Sequence, residues 1–329
     1  MCKDNKTIAE IFNDFFSSIG KLLSKAFDNQ FRDGMNVSNN THSFKFRAVN
    51  ERFVKENLKN LKTNKACGLD KISARLLKDA AEVISHSLTL LINKSFEEGC
   101  FPATWKSAKV TALFKGGDQS SKDNYRPISI LPTISKIIEK AAHTQLYGYL
   151  EGNNLLTNAQ YGFRHKLSTA SALINFTDTL LDKMDKGQTT GVVFLDMKKA
   201  FDTVNHDILI KKLKFLDVFG TTLQWFNSYL RGRMQRTVCG NEMSCSAKVS
   251  IGVPQGSILG PLLFLVYING IHEVTRPTTM TMFADDMAIS YSSNCASDLQ
   301  NKLNTDLGSI ATWLNENKLH LMLRNLNSC

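Results

Sequence analysis

Thr279-Met-Thr-Met-Phe-Ala-Asp-Asp-Met-Ala-Ile-Ser-Tyr291 sets two adjacent carboxylates, Asp285 and Asp286, between two short strand-like runs. Such runs on either side of a polar tip predict a β-hairpin. A surface turn accounts for one aspartate. Two of them, flanked closely by Phe283, Ala284 and Met287, repel each other unless a cation compensates. A third acid, Asp196, lies 89 residues before Asp285, at the end of the apolar run Gly191-Val-Val-Phe-Leu195. That run predicts a strand of the fully buried kind. After it comes a helix in which Phe201, Val204, Ile208, Leu209, Leu213 and Leu216 share a face. Taken alone, Asp196 also reads as a helix cap or first-turn acid. The separation of Asp196 from Asp285 suits two strands that meet in one sheet, with the acids projecting into a cleft. Together with Asp286 they form a hard, oxygen-only set that fits Mg²⁺ rather than Zn²⁺. Ions held in this way activate a hydroxyl, align it with phosphorus and stabilise a leaving pyrophosphate, so phosphoryl transfer is the implied reaction class.

Between the acids lies Gly252-Val-Pro-Gln-Gly-Ser-Ile-Leu-Gly-Pro261, which leads into a helix-like Leu262–Ile268. Its glycines let backbone approach a ligand closely, and Gln255 can donate and accept at once. A structural turn is the competing reading. Further out, helical periodicity covers Val49–Leu61, Ile72–Phe96, Ile134–Leu150 and Ser168–Asp185, with a basic loop over Lys62–Asp70. Val110–Phe114 and Asn124–Leu131 read as two extended runs joined by a turn at Lys115–Asp118. At the N-terminus an amphipathic helix over Ile8–Phe27 precedes a loop over Asp28–Ser43. The mixture indicates an α/β or α+β body.

A chain of 329 residues has room for roughly two domains. Hydrophobic residues at 43% and charged residues at 21% exclude disorder and collagen-like structure. The longest apolar stretch, Ile258–Ile268, contains Gly260 and Pro261 and runs about eleven residues, against the ~20 of a membrane span. A net charge of +10 favours an acidic partner, nucleic acid being the commonest, with plain solubility as the alternative. The seven cysteines include no C-x-x-C pair and match no zinc spacing, so reduced thiols are expected. Charges in Met1–Glu10, where a secretory signal needs an apolar core, argue against export.

These segments resemble one known family, the reverse transcriptases of non-long-terminal-repeat retrotransposons of the jockey-like and chicken-repeat-like kinds. Phe194-Leu-Asp-Met-Lys-Lys-Ala-Phe-Asp-Thr-Val-Asn-His206 resembles its first catalytic motif, Gly252–Pro261 its second and Phe283-Ala-Asp-Asp286 its third. Phe101-Pro-Ala-Thr-Trp-Lys106 through Phe114-Lys115, and Asn124-Tyr-Arg-Pro-Ile-Ser129, are similar to its fingers motifs. Gln160-Tyr-Gly-Phe-Arg164 is similar to the stretch before its palm, and Ile8–Gly20 to the helix that precedes the polymerase. The resemblance implies an α+β right-hand polymerase of fingers and palm. An N-terminal helix and linker would occupy 1–48, fingers and the fingers–palm connection 49–186, and a palm 187–329 with an antiparallel sheet backed by helices. The reverse transcriptase domain would span about 97–329.

The implied activity is RNA-directed DNA polymerisation, in which a primer 3′-hydroxyl receives deoxynucleotides. Its partners would be an RNA template, a DNA primer and deoxynucleoside triphosphates, with no membrane; its cofactors would be two Mg²⁺ ions, with Mn²⁺ as a substitute. By resemblance Asp196 and Asp285 hold both metals, Asp286 supports them and the Leu195 carbonyl completes a shell. Phe201 matches the steric gate whose ring clashes with a ribose 2′-hydroxyl. Lys115 and Arg126 match the residues that hold the triphosphate, one as a point charge and the other as a bidentate fork. Gln255 and Gly256 would line the incoming sugar and base.

The C-terminal stretch begins as the family's does and then departs from it. Met322 stands where Asn is expected, and Asn325 where a Lys neutralises the outgoing pyrophosphate, with Arg324 one residue off register. Thumb and endonuclease segments of a longer polyprotein are expected outside this stretch. The departures support a second reading, a catalytically inactive, truncated nucleic-acid-binding remnant of such an element. The resemblance implies an intracellular, nuclear site of action.

Overall fold

A computed structural model of the chain describes residues 4–24 and 43–322. Residues 25–27 of the expected N-terminal helix, residues 28–42 of the loop expected over 28–43, and Arg324 and Asn325 lie outside the described residues. Side-chain caps start five of the helices among the described residues. Asp4 accepts from the Thr7 N–H at the start of α1 (Asn5–Ser24), Asn50 accepts from Phe53 at α2 (Glu51–Lys59), and Ser73 accepts from Leu76 at α3 (Ala74–Asp79). The single helix expected over 72–96 breaks at Ala80, which joins α3 to α4 (Ala81–Glu98). Left-handed Gly99 ends α4. The expected hairpin is β1 (Ser107–Phe114) with β2 (Tyr125–Ile130). Then follow α5 (Ser135–Gly152), α6 (Thr169–Asp185) behind a Ser168 capping box, and β3 (Thr189–Leu195).

The helix expected to carry both Phe201 and Leu209 is corrected. Lys199 takes a left-handed φ of 53°, a 3₁₀ turn covers Ala200–Asp202, and α7 (His206–Phe215) begins only after Asn205. The Asn205 side chain accepts from the Asp207 and Ile208 N–H groups, and this cap competes with continuation of the helix. The remaining elements are α8 (Gly220–Leu230), β4 (Arg233–Cys239), β5 (Glu242–Met243), β6 (Ala247–Val249), α9 (Leu259–Ile268), β7 (Thr279–Phe283), β8 (Asp286–Ser293) and α10 (Ala296–Glu316).

The strands form two sheets. In one, the order is β2-β1-β4-β5, with β6 also on β4; β1 and β4 run parallel and the other pairs antiparallel. The other, β3-β8-β7, is antiparallel throughout. The expected boundary at 186/187 does not follow these sheets, because β4, on which β5 and β6 also pair, is hydrogen-bonded to β1 from the earlier stretch. Helix α1 joins the same sheet: buried Asn13 donates to the Cys245 carbonyl and accepts from Thr237. The expectation that β3 is fully buried is also corrected. β3 is an edge strand, and Phe194 is 72% exposed. A continuous apolar run signals cover on both faces, but only the Val193 and Leu195 face packs on the core.

Helix α9 is the centre of that core, with every residue but Pro261 buried. A helix sheathed in apolar side chains leaves its end groups without water, so each end needs a partner. Buried Glu139 accepts from the Ile258 and Leu259 N–H groups at 2.8 and 3.4 Å. At the other end buried Lys212 donates to the Tyr267 carbonyl and stacks over the Tyr267 and Trp313 rings. Both charges match the helix dipole. Burial pushes the Lys212 ammonium down to about 7 and holds the Glu139 carboxyl above its usual range.

Candidate active site

The acidic hairpin forms as its sequence suggests, with one difference in register. Phe283 pairs with Asp286, leaving a two-residue turn of Ala284 and Asp285, so Asp286 is the first residue of β8 rather than part of the tip. Ala284 has a φ of 57°, the positive value that the first central position of a tight hairpin turn can require. Leu195 pairs with Met287 on the neighbouring strand, which brings Asp196, one residue beyond β3, beside the turn. The Asp196 carbonyl accepts from the Met322 N–H at 2.7 Å, and the Lys198 N–H donates to the His320 carbonyl at 2.8 Å, so the end of β3 is held from its open side.

Asp196 and Asp285 share a cleft of about 1200 Å³ with Lys115, Arg126, Phe201 and Gln255. Six of the residues singled out in sequence therefore converge, from the ends of β1 and β3, from β2, from the hairpin turn, from the 3₁₀ turn and from the loop before α9. Burial, followed by the Asp286 and Asp196 carboxylates, holds the Asp285 carboxyl above its usual range. Burial and then Arg126 push the Lys115 ammonium down, while Asp196, Asp285 and Asp202 pull it up. Phe201 is fixed by stacking on Phe264 at 4.7 Å and by an edge contact with Phe163 at 6.0 Å.

Three of the expected residues lie apart from the cleft wall. Asp286 is exposed at the start of β8, and the Leu195 side chain packs on the core. Gly256 faces β2: an added Cβ would stand 2.4 Å from the Ser129 carbonyl oxygen, at a φ of 125°. The neighbouring Gln255 carbonyl accepts from the Ser129 N–H at 2.7 Å, so Gly256 lets this loop seat on the strand that carries Arg126.

Sequence reasoning missed other residues of the site. Asp202 lines the cleft, accepting from Gln255 Nε2 at 2.8 Å through Oδ1, while its Oδ2 is buried without a partner. Burial dominates there and pushes the carboxyl up to about 6. Helix α1 also reaches the site. Leu23 lines the cleft, its carbonyl accepts from His320 Nε2 at 2.9 Å, and a Cβ on Gly20 would stand 2.2 Å from the Asp202 carbonyl oxygen. One signal for Asp202 was present, a carboxylate among apolar positions; the role of Gly20 depends on a contact across 182 residues that no local pattern encodes.

A family model described as reverse transcriptase (RNA-dependent DNA polymerase) matches residues 115–324. The probable RNA-directed DNA polymerase from transposon BS of Drosophila melanogaster is 32% identical over 82% of this chain and 31% of its own length. The corresponding probable polymerase from transposon X-element of Drosophila melanogaster is 32% identical over 71% of this chain and 26% of its own length. The RNA-directed DNA polymerase from mobile element jockey of Drosophila funebris is 30% identical over 79% of this chain and 29% of its own length. The chain thus spans less than a third of the length of these relatives.

Proposed function

The chain belongs to the reverse transcriptase family, and from that premise we propose that it carries the nucleotidyl-transfer centre of an RNA-directed DNA polymerase of a mobile element. The observation that carries this reading is the convergence of Asp196, Asp285, Lys115 and Arg126, from four separate segments, on one cleft. Two carboxylates facing two cations is the arrangement that a metal-bound triphosphate requires.

The donor set fits a divalent cation. It consists of oxygen donors alone, and the upward push on Asp285 by its acidic neighbours is a repulsion that a cation relieves. Among the described residues no three His, Cys, Asp or Glu side chains gather as a cage. Mg²⁺ needs only one or two carboxylates when phosphate oxygens and waters supply the rest. Asp196 and Asp285 would hold the ions, Mg²⁺ or Mn²⁺, with Asp286 and the Leu195 carbonyl in support. Bound there, the ions supply Lewis-acid charge for an in-line displacement at phosphorus.

The chain's own residues account for the rest. Lys115 and Arg126 would bind the triphosphate, and Phe201, held by its stack on Phe264, would clash with a 2′-hydroxyl. Gln255, whose Nε2 donates to Asp202, would offer its remaining amide oxygen as an acceptor to the incoming sugar. The primer 3′-oxygen then bonds to the α-phosphorus while the bond to pyrophosphate breaks. The net charge of +10 suits an RNA template and a DNA primer as partners. The specific observation behind the inactive-remnant reading is that Met322, in place of an Asn, lines the cleft.

Extension of a DNA primer on an RNA template by the full chain, with Mg²⁺ and deoxynucleotides and with Asp285→Asn as the control, separates the two. Incorporation by the wild type alone supports the polymerase. Salt-dependent RNA binding by a folded chain that extends nothing supports the remnant.

A further inference from the structure

Gln160 is 3% exposed, and its side chain grips the residue that precedes Asp285. Gln160 Oε1 accepts from the Ala284 N–H at 2.9 Å and from the Gly162 N–H at 2.7 Å, while Nε2 donates to the Ala284 carbonyl at 3.1 Å. One amide therefore holds both backbone groups of Ala284, which sits at a φ of 57° that non-glycine residues avoid. The approach needs a bare Cα opposite: a Cβ on Gly162 would stand 2.2 Å from the Ala284 nitrogen.

The gripping segment is itself anchored. The Met282 N–H donates to the Ala159 carbonyl at 2.7 Å and the Tyr161 N–H to the Met282 carbonyl at 2.8 Å, so residues 159–161 run along the outer edge of β7. Arg164 pairs with Glu151 through two bonds of 2.8 and 2.7 Å and donates to the Thr157 carbonyl at 2.8 Å. An apolar side chain of the same size would fill the space at 160. Of the uncharged side chains that fit there, an amide has both the donor and the acceptor that the two groups of Ala284 demand.

We infer that Gln160 is a positioning residue of the nucleotidyl-transfer centre, holding Ala284 in its left-handed conformation and so aiming Asp285 into the cleft beside Asp196. Gly162 supplies the room for that grip. The inference rests on the polymerase reading for what Asp285 does once aimed, and on the hydrogen bonds alone for the aiming.

Three variants of the full chain test it. Gln160→Met keeps the volume and loses all three bonds, Gly162→Ala crowds the turn, and Gln160→Glu keeps the acceptor but loses the donor. Ile92→Val, in the core of α4, controls for general loosening. The readouts are Mn²⁺ binding followed by electron paramagnetic resonance, with Asp285→Asn defining the site, and the Mg²⁺ dependence of single-nucleotide incorporation. Gln160→Met and Gly162→Ala are expected to weaken Mn²⁺ binding and raise the Mg²⁺ midpoint about tenfold, the worth of one to two hydrogen bonds. Excess metal is expected to recover part of the rate, and Ile92→Val to move neither quantity. A folded Gln160→Met that binds Mn²⁺ as the wild type does overturns the inference, as does an equal shift in Ile92→Val. If Gln160→Met fails to fold, Gln160→Glu and Gly162→Ala decide by the same shift. A wild type that binds Mn²⁺ through Asp285 yet extends no primer refutes the polymerase reading, and the Mn²⁺ shift still decides the role of Gln160.

Discussion

Replacing Asp202 by Asn is expected to stabilise the protein at pH 8 and to change it little near pH 4. The wild-type carboxylate keeps one hydrogen bond, from Gln255, and has a buried Oδ2 without a partner. Burial outweighs the help of Gln255, Lys199 and Lys115, so the carboxyl rises from 3.8 to about 6. A raised carboxyl pKa means that the folded chain binds the proton more tightly than the unfolded one. The stability that this provides is complete below pH 3.8 and is lost as pH rises through about 6. A shift of about two units corresponds to about 3 kcal/mol once both states are ionised, and to about 0.5 kcal/mol at pH 4. Asn removes the charge while its oxygen still accepts from Gln255, so the gap between variant and wild type is expected to widen from about 0.5 toward a ceiling of about 3 kcal/mol. Urea denaturation of both proteins at pH 4, 6 and 8 measures it. A gap that stays constant with pH, or a variant less stable at pH 8, would refute the reasoning.

Glu139→Ala is expected to cost about 3–5 kcal/mol in urea denaturation, because it strips the N-terminus of α9 and leaves Arg233 buried without its acidic neighbour. Glu139→Gln, which keeps one acceptor, is expected to cost about 1–3 kcal/mol. Arg126→Ala is expected to lower kcat/KM for a deoxynucleotide by about 10- to 100-fold in steady-state incorporation, and Arg126→Lys to recover part of it. Phe201→Val is expected to raise ribonucleotide incorporation relative to deoxynucleotide about tenfold, measured as a ratio of kcat/KM values; an unchanged ratio would remove Phe201 from the sugar pocket.

The hairpin of Asp285 was legible because two adjacent acids between strand-like runs fit a polar tip and little else, and most of α9 because Leu262–Ile268 reads as helix-like, although the helix itself starts at Leu259, before Pro261. Phe201 was placed on the wrong element because the apolar spacing runs on through the Asn205 cap, and periodicity alone does not register a cap. The edge position of β3 was hidden for a related reason, since a run of Val, Phe and Leu reads the same whether one face or two are covered. The pairing of β1 with β4 joins residues more than a hundred positions apart, and no local pattern encodes it. Gln160, Asp202, Glu139 and Lys212 share one property: each is a polar side chain matched to backbone groups or an amide supplied by a distant segment. Their partners become visible only once the chain is folded.

The central claim is that Asp196 and Asp285 form one nucleotidyl-transfer centre with Lys115 and Arg126. It is tested most directly by single-nucleotide incorporation on an RNA template, with each deoxynucleotide supplied separately, by the wild type, Asp196→Asn and Asp285→Asn. The account predicts Mg²⁺-dependent addition of the template-complementary nucleotide by the wild type, and loss of that addition in both folded variants. Template-directed addition that persists in either variant would contradict it.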